Sequence, residues 1–119
     1  MAQPTEATLM VVEDEYLIAA GLEMALQDAG FTVLEPLSSL EEALAAVAHQ
    51  IADLALLDVN LAGHRVYPVA DALAARKVPF IFLSGCTEGN LPPRFAGIPI
   101  LMKPFQMKKL LQSIRLALK

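Results

Sequence analysis

Five short apolar runs recur along the chain, and they read as continuous hydrophobic stretches rather than alternating ones. They are TLMVV (residues 8–12), FTVLEP (31–36), LALLDV (54–59), PFIFLS (79–84) and ILMK (100–103). A strand exposed on one face alternates apolar and polar residues; a strand apolar at every position needs cover on both faces. Helical spacing fills most of the intervals. Ile18, Leu22, Ala25, Leu26 and Ala29 form one stripe, and Gly30 stands where a C′ glycine belongs. Leu40, Leu44, Val47 and Ile51 form a second, with Ser38 or Ser39 as cap and Glu41 and Glu42 in the first turn. Pro68 suits the start of a third helix continuing through VADALAARK, with Tyr67 beside it. Met107, Leu111, Ile114 and Leu118 mark the last helix. NLAGHRVY reads as loop, and GCTEGNLPPRFAGIP, with three glycines and three prolines, has room for at most a brief helix. The order is β-α-β-α-β-α-β-loop-β-α, which predicts a parallel α/β sheet with helices on both sides. The 119 residues fit one domain, 1–119, with 1–7 as a flexible N-terminus.

Such sheets bind ligands beyond the carboxyl ends of their strands. Glu13 and Asp14 follow the first run, Asp58 closes the third, Ser84 closes the fourth, and Lys103 closes the fifth. The topology therefore gathers five polar residues at one rim. Singly each has an ordinary explanation: Asp14 as a helix cap, Asp58 as a loop residue, Ser84 as a strand end, Lys103 as a turn lysine. Together they point to chemistry. Clustered carboxylates repel unless a cation intervenes. No Cys or His cluster offers soft ligands, which disfavours zinc, whereas Mg²⁺ takes carboxylate, water and phosphate oxygens. Lysine and hydroxyl groups suit phosphoryl oxygens, and a carboxylate can itself accept a phosphoryl group. The residues thus suggest Mg²⁺-dependent phosphoryl transfer to an Asp.

With those residues in view, the chain resembles the receiver domain of two-component response regulators over essentially its whole length. MVVEDE is similar to the family's acidic pair, LLDVNLAG to its phosphoacceptor strand and loop, FLSG to its Ser/Thr strand end, and LMKPF to its Lys-Pro pair. PFIFLSG also resembles a proline-phenylalanine variant found in a subgroup of mostly single-domain receivers, which carries Ala-Thr-Gly where this chain has Leu83-Ser84-Gly85. The resemblance implies a flavodoxin-like doubly wound sheet of five parallel strands in the order 2-1-3-4-5, with the fourth helix shortened or replaced by loop. It implies that Asp58 accepts the phosphoryl group, that Asp14 binds Mg²⁺ directly and Glu13 through water, and that the Asn60 carbonyl completes the metal ligands. Ser84 would bond a phosphoryl oxygen. Lys103 would pair with the phosphoryl group, and with Asp58 before it arrives. Gly85 would keep the approach open, and the Lys103-Pro104 bond would be cis.

Two departures stand out. The family's aromatic switch position, three before the lysine, holds Ile100. The segment after Ser84 is short and proline-rich, so phosphorylation is expected to order that loop instead of turning a ring. The implied function is a stand-alone phosphoacceptor that is phosphorylated by a sensor histidine kinase or a histidine phosphotransfer protein and turns over no separate substrate. Its output could be a switch, a phosphate sink or a shuttle to a histidine phosphotransfer protein. A phosphatase with an Asp nucleophile is the competing enzymatic reading, but the chain has no residues left for a cap over a substrate. A net charge of −4 and a pI near 5.0 disfavour nucleic acid. The cations Lys108, Lys109, Arg115 and Lys119 suit a helix C-terminus. Without a signal pattern or an apolar run near 20 residues, a soluble cytoplasmic protein off the membrane is expected. Its state would be monomer or weak homodimer. His64 reads as a surface loop residue, Phe80 and Phe82 as packing groups, and the lone Cys86 as a small, partly buried side chain.

Overall fold

The computed structural model describes residues 7–49, 52–85 and 91–118. Chain order is β1 (Thr8–Val12), α1 (Tyr16–Asp28), β2 (Thr32–Val33), α2 (Leu40–His49), β3 (Leu54–Asp58), a small hairpin of β4 (Asn60–Leu61) and β5 (His64–Arg65), α3 (Tyr67–Ala75), β6 (Phe80–Ser84), a 3₁₀ turn at Pro93–Phe95, β7 (Ile100–Met102) and α4 (Met107–Ala117). The main sheet runs β2-β1-β3-β6-β7, all parallel. Leaving the hairpin aside, this is the flavodoxin-like order 2-1-3-4-5.

The apolar runs are continuous because the sheet separates two cores. Met10, Val12, Ala55, Leu57, Phe80 and Phe82 face one side and pack with Ala43 and Val47 of α2 and with Val69 and Leu73 of α3. Leu9, Val11, Leu54, Leu56, Ile81 and Leu83 face the other side, against Leu22 and Leu26 of α1 and Leu110 and Ile114 of α4. Successive residues point to opposite faces, and both faces are dry. Burying each Leu or Phe from water is worth about 1.5–3 kcal/mol. These strands therefore hold the rim above them on a rigid base.

Local chemistry sets the ends. Ser39 Oγ accepts the Glu42 N–H at 3.1 Å, while the Glu42 carboxylate accepts the Ser38 N–H at 3.1 Å. Ser39 is thus the α2 cap in a variant of the capping box. Gly30 takes φ +101° after α1, a left-handed position where glycine carries no Cβ penalty. Pro68 sits in the first turn of α3.

Several expectations change. The buried stripe of α2 is Ala43, Ala46 and Val47, and Leu44 is 38% exposed. The segment 60–67 is a hairpin leading into α3 rather than plain loop. Between β6 and β7 the described residues contain only the 3₁₀ turn, in line with a replaced fourth helix. Residues 1–6 of the expected flexible N-terminus, Ile51 and Cys86 lie outside the described residues.

Candidate functional site

The carboxyl ends of β1, β3, β6 and β7 converge as the sequence implied. Glu13 and Asp14 follow β1, Asp58 ends β3, Ser84 ends β6, and Lys103 follows β7. Glu13, Asp58 and Ser84 are buried, at 1%, 5% and 1% exposure. Asp58 lies at the rim as expected and is buried there, so its charge must be met inside the protein.

Glu13, Asp14 and Asp58 each offer a carboxylate oxygen within 4.8 Å of the others. Lys103 brings a cation to this cluster. Lys103 Nζ donates to Glu13 Oε1 at 2.7 Å and lies 3.5 Å from Asp58 Oδ2. The lysine was expected to pair with Asp58; its closer partner is Glu13, which is the more deeply buried carboxylate. Glu13 Oε2 also accepts the Glu15 N–H at 3.1 Å. Three carboxylates thus crowd around the Lys103 ammonium. Burial pushes the Asp58 carboxyl up to about 7; the adjacent Glu13 charge adds to this, and Lys103 pulls the other way. Burial disfavours the Lys103 ammonium, but the bond to Glu13 and the charges of Asp58 and Glu13 outweigh it and hold the group above its ordinary value.

Asp14 does not cap α1. The helix has Glu15 at its N-cap with no side-chain bond, and Asp14 Oδ2 accepts the Ala62 N–H across the rim at 3.1 Å. Asn60 is exposed at the start of the hairpin, and its N–H approaches Asp58 Oδ1 at 3.4 Å. The Lys103 N–H donates to the Ser84 carbonyl at 2.7 Å, tying β7 to β6 at the rim. The Lys103-Pro104 peptide is cis, as the resemblance implied. A Cβ built on Gly85 meets nothing within 4 Å among the described residues, so the protein's own packing gives no reason for glycine there. His64 is exposed on the hairpin. Phe80 and Phe82 pack as expected, 5.5 Å apart and edge to face.

Sequence reasoning missed two features. One is the Ala62 amide, whose only trace is the Ala-Gly pair between short apolar-polar stretches. The other is the anchor after Ser84. Phe95 is buried among Tyr67, Phe80 and Phe82, with ring centroids 5.3–6.1 Å away. Arg94 stacks over Phe95 at 4.6 Å and bridges both oxygens of Asp71 on α3 at 2.8 and 2.9 Å.

The clustered donors are carboxylate oxygens, three of them within 4.8 Å of one another, so the set fits a hard divalent cation such as Mg²⁺. A parallel α/β sheet with this acidic cluster and lysine at its carboxyl rim defines the receiver class of signalling domain. The chain belongs to that family: residues 9–115 match the model described as the response regulator receiver domain. It is therefore a receiver domain of the response regulators that serve two-component signal transduction. No curated protein matches it. Among solved structures, the solution structure of SdrG from Sphingomonas melonis Fr1 is 37% identical at a TM-score of 0.84, covering 98% of this chain and 100% of that one. The BeF3-activated conformation of SdrG from Pseudomonas melonis Fr1 is 39% identical at 0.79, covering 94% and 96%. The receiver domain of a modulated diguanylate cyclase from Desulfovibrio desulfuricans G20 is 30% identical at 0.80, covering 96% and 94%.

Proposed function

We propose that this receiver takes a phosphoryl group from a phosphohistidine onto Asp58 with Mg²⁺ bound by Asp14, Glu13, Asp58 and the Asn60 carbonyl. The carrying observation is the Glu13–Asp14–Asp58 cluster with Lys103 2.7 Å from Glu13 and 3.5 Å from Asp58. In the transfer an Asp58 oxygen attacks phosphorus, the P–N bond breaks, and the imidazole leaves with its electron pair. Bound Mg²⁺ would supply the positive charge that keeps Asp58 ionised and meets the phosphoryl oxygens. Lys103 sits within reach of one Asp58 oxygen and meets negative charge that develops there. Ser84 at the end of β6 serves the remaining oxygen side. SdrG, which has a BeF3-activated conformation, supports the phosphoacceptor reading.

The partner is a sensor histidine kinase or a histidine phosphotransfer protein. Tyr16 and Leu17, 80% and 82% exposed, stand beside Asp14 and give such a partner apolar surface next to the acceptor. An open cleft of about 740 Å³ starts at Glu13 and Asp14 and runs past Tyr16 and Glu23 to Glu35 and Ser38. The receiver works as one domain over residues 1–119, turns over no separate substrate, and acts in the cytoplasm as a monomer or weak dimer. No described helix is long and apolar enough to cross a membrane.

The test is incubation with acetyl phosphate and Mg²⁺ followed by intact mass. Wild type gains one phosphoryl group and Asp58→Asn gains none. If neither gains mass with acetyl phosphate or with a cognate kinase, the reading fails.

A further inference from the structure

The β4–β5 hairpin reaches two of the carboxylates that a cation at the rim needs, Asp14 and Asp58. Asn60 pairs with Arg65 and Leu61 with His64, leaving a two-residue turn at Ala62 and Gly63. Both turn residues have positive φ, 53° and 86°. That is the type I′ geometry matched to the twist of a hairpin, and it favours Asn and Gly. Alanine there costs roughly 1–2 kcal/mol. The turn is held from below, because Leu61 and Val66 are fully buried and the Val66 N–H donates to the Val59 carbonyl at 2.9 Å. From this base the Ala62 N–H is aimed at Asp14 Oδ2, 3.1 Å away and 48 residues back in the chain. The same hairpin carries Asn60, whose N–H approaches Asp58 Oδ1 at 3.4 Å.

We propose that Ala62 is a positioning residue for the cation site: its left-handed backbone presents its N–H to Asp14 and sets the direction in which that carboxylate faces Glu13 and Asp58. The inference rests on the divalent-cation reading given above. Its chemistry is that of an outer group orienting a ligand, where loss of the hydrogen bond leaves the carboxylate free to rotate. The demand at position 62 is conformational and not steric, since the Ala62 side chain is exposed. Asparagine and glycine adopt the left-handed region readily, whereas β-branched valine, close to asparagine in size, does not.

The test is an Mg²⁺ titration of the full chain followed by ¹H–¹⁵N NMR for wild type, Ala62→Gly, Ala62→Asn and Ala62→Val. Ala62→Gly and Ala62→Asn bind within about two-fold of wild type, and Ala62→Val binds about ten-fold or more weakly. Equal affinity for Ala62→Val, or a loss in Ala62→Asn as large as in Ala62→Val, overturns the inference. Absence of Mg²⁺ binding by wild type overturns the cation reading itself. If Ala62→Val does not fold, amide exchange at Ala62 in the metal-free protein decides. The amide exchanges at least about ten-fold more slowly in wild type than in Asp14→Ala; equal rates overturn the proposal.

Discussion

Asp58 carries a thermodynamic cost that its neighbours only partly offset, and removing its charge exposes that cost. Its carboxyl is raised from 3.8 to about 7 by burial first and by Glu13 second. Between those two values the native protein holds a proton that the unfolded chain has released. Stability therefore falls as pH rises through this window. The slope is about 1.4 kcal/mol per pH unit, so wild type loses up to about 3 kcal/mol between pH 5 and pH 8 from this group. The accumulated cost at pH 8 approaches about 4 kcal/mol by the same arithmetic. Asp58→Asn keeps the shape and an acceptor oxygen for the Asn60 N–H but has no charge to bury. It gives up the 3.5 Å contact with Lys103, whose closer bond to Glu13 persists.

The variant is expected to be more stable than wild type at pH 8 in EDTA, by at least about 1 kcal/mol once the lost lysine contact is set against the cost above. The gap should shrink towards pH 5. Urea unfolding followed by far-UV circular dichroism reads it, with the midpoint rising by about 0.5–1 M per kcal/mol. Saturating Mg²⁺ should stabilise wild type more than the variant and so narrow the gap at pH 8. A variant equal to or weaker than wild type at pH 8, or a gap independent of pH, refutes the electrostatic account of the rim.

Lys103→Ala leaves Glu13 and Asp58 buried without their cation, and should cost about 3–5 kcal/mol at pH 8 and less at pH 5, measured by the same unfolding. Phe95→Ala opens the aromatic cluster and should cost about 3–5 kcal/mol, whereas Arg94→Ala removes a bridge whose partners are 54% and 48% exposed and should cost no more than about 1 kcal/mol. Comparing the two urea midpoints tells whether the ring or the bridge holds the segment after β6. Lys77 lies at φ 61° after α3, with the Val78 N–H bonded to the Leu73 carbonyl at 3.0 Å, so Lys77→Gly should stabilise by about 0.5–1 kcal/mol.

Most of the sheet was legible because its central strands are apolar on both faces, and only a parallel sheet between helix layers buries such strands. The rim was legible for the same reason: polar residues that end buried runs have one place to go. What could not be read were contacts between elements distant in the chain. Nothing in EDE or LAG says that Asp14 turns towards Ala62 and leaves α1 uncapped. Nothing in LMKP says that Lys103 favours Glu13 over Asp58. Those choices depend on which carboxylate is buried deeper and where a hairpin turn points its amides. The α2 stripe failed differently. Leu44 was counted for its hydrophobicity, but Ala43 and Ala46 take the buried face of the helix and Leu44 stays 38% exposed.

The aromatic groups shift the question of how a modified Asp58 is sensed. Ile100, at the family's switch position, sits on the edge strand and is 37% exposed, so it has no ring to turn inward. The rings lie one strand over and beneath it: Phe82 pairs in register with Ile100, and Phe82, Phe80 and Tyr67 surround Phe95. Burial of Phe95 is worth about 1.5–3 kcal/mol and its edge-to-face contacts about 0.5–1.5 kcal/mol each. The Arg94–Asp71 bridge adds no more than about 1 kcal/mol at such exposure. Freeing this anchor thus costs several kcal/mol, a sum comparable to what a population shift from one dominant state to another demands. Residues 93–95 are consequently already fixed before any phosphoryl group arrives. Any change in the described residues after β6 that reports on Asp58 therefore starts from Phe95 as a fixed point, or else displaces Phe95 at that cost.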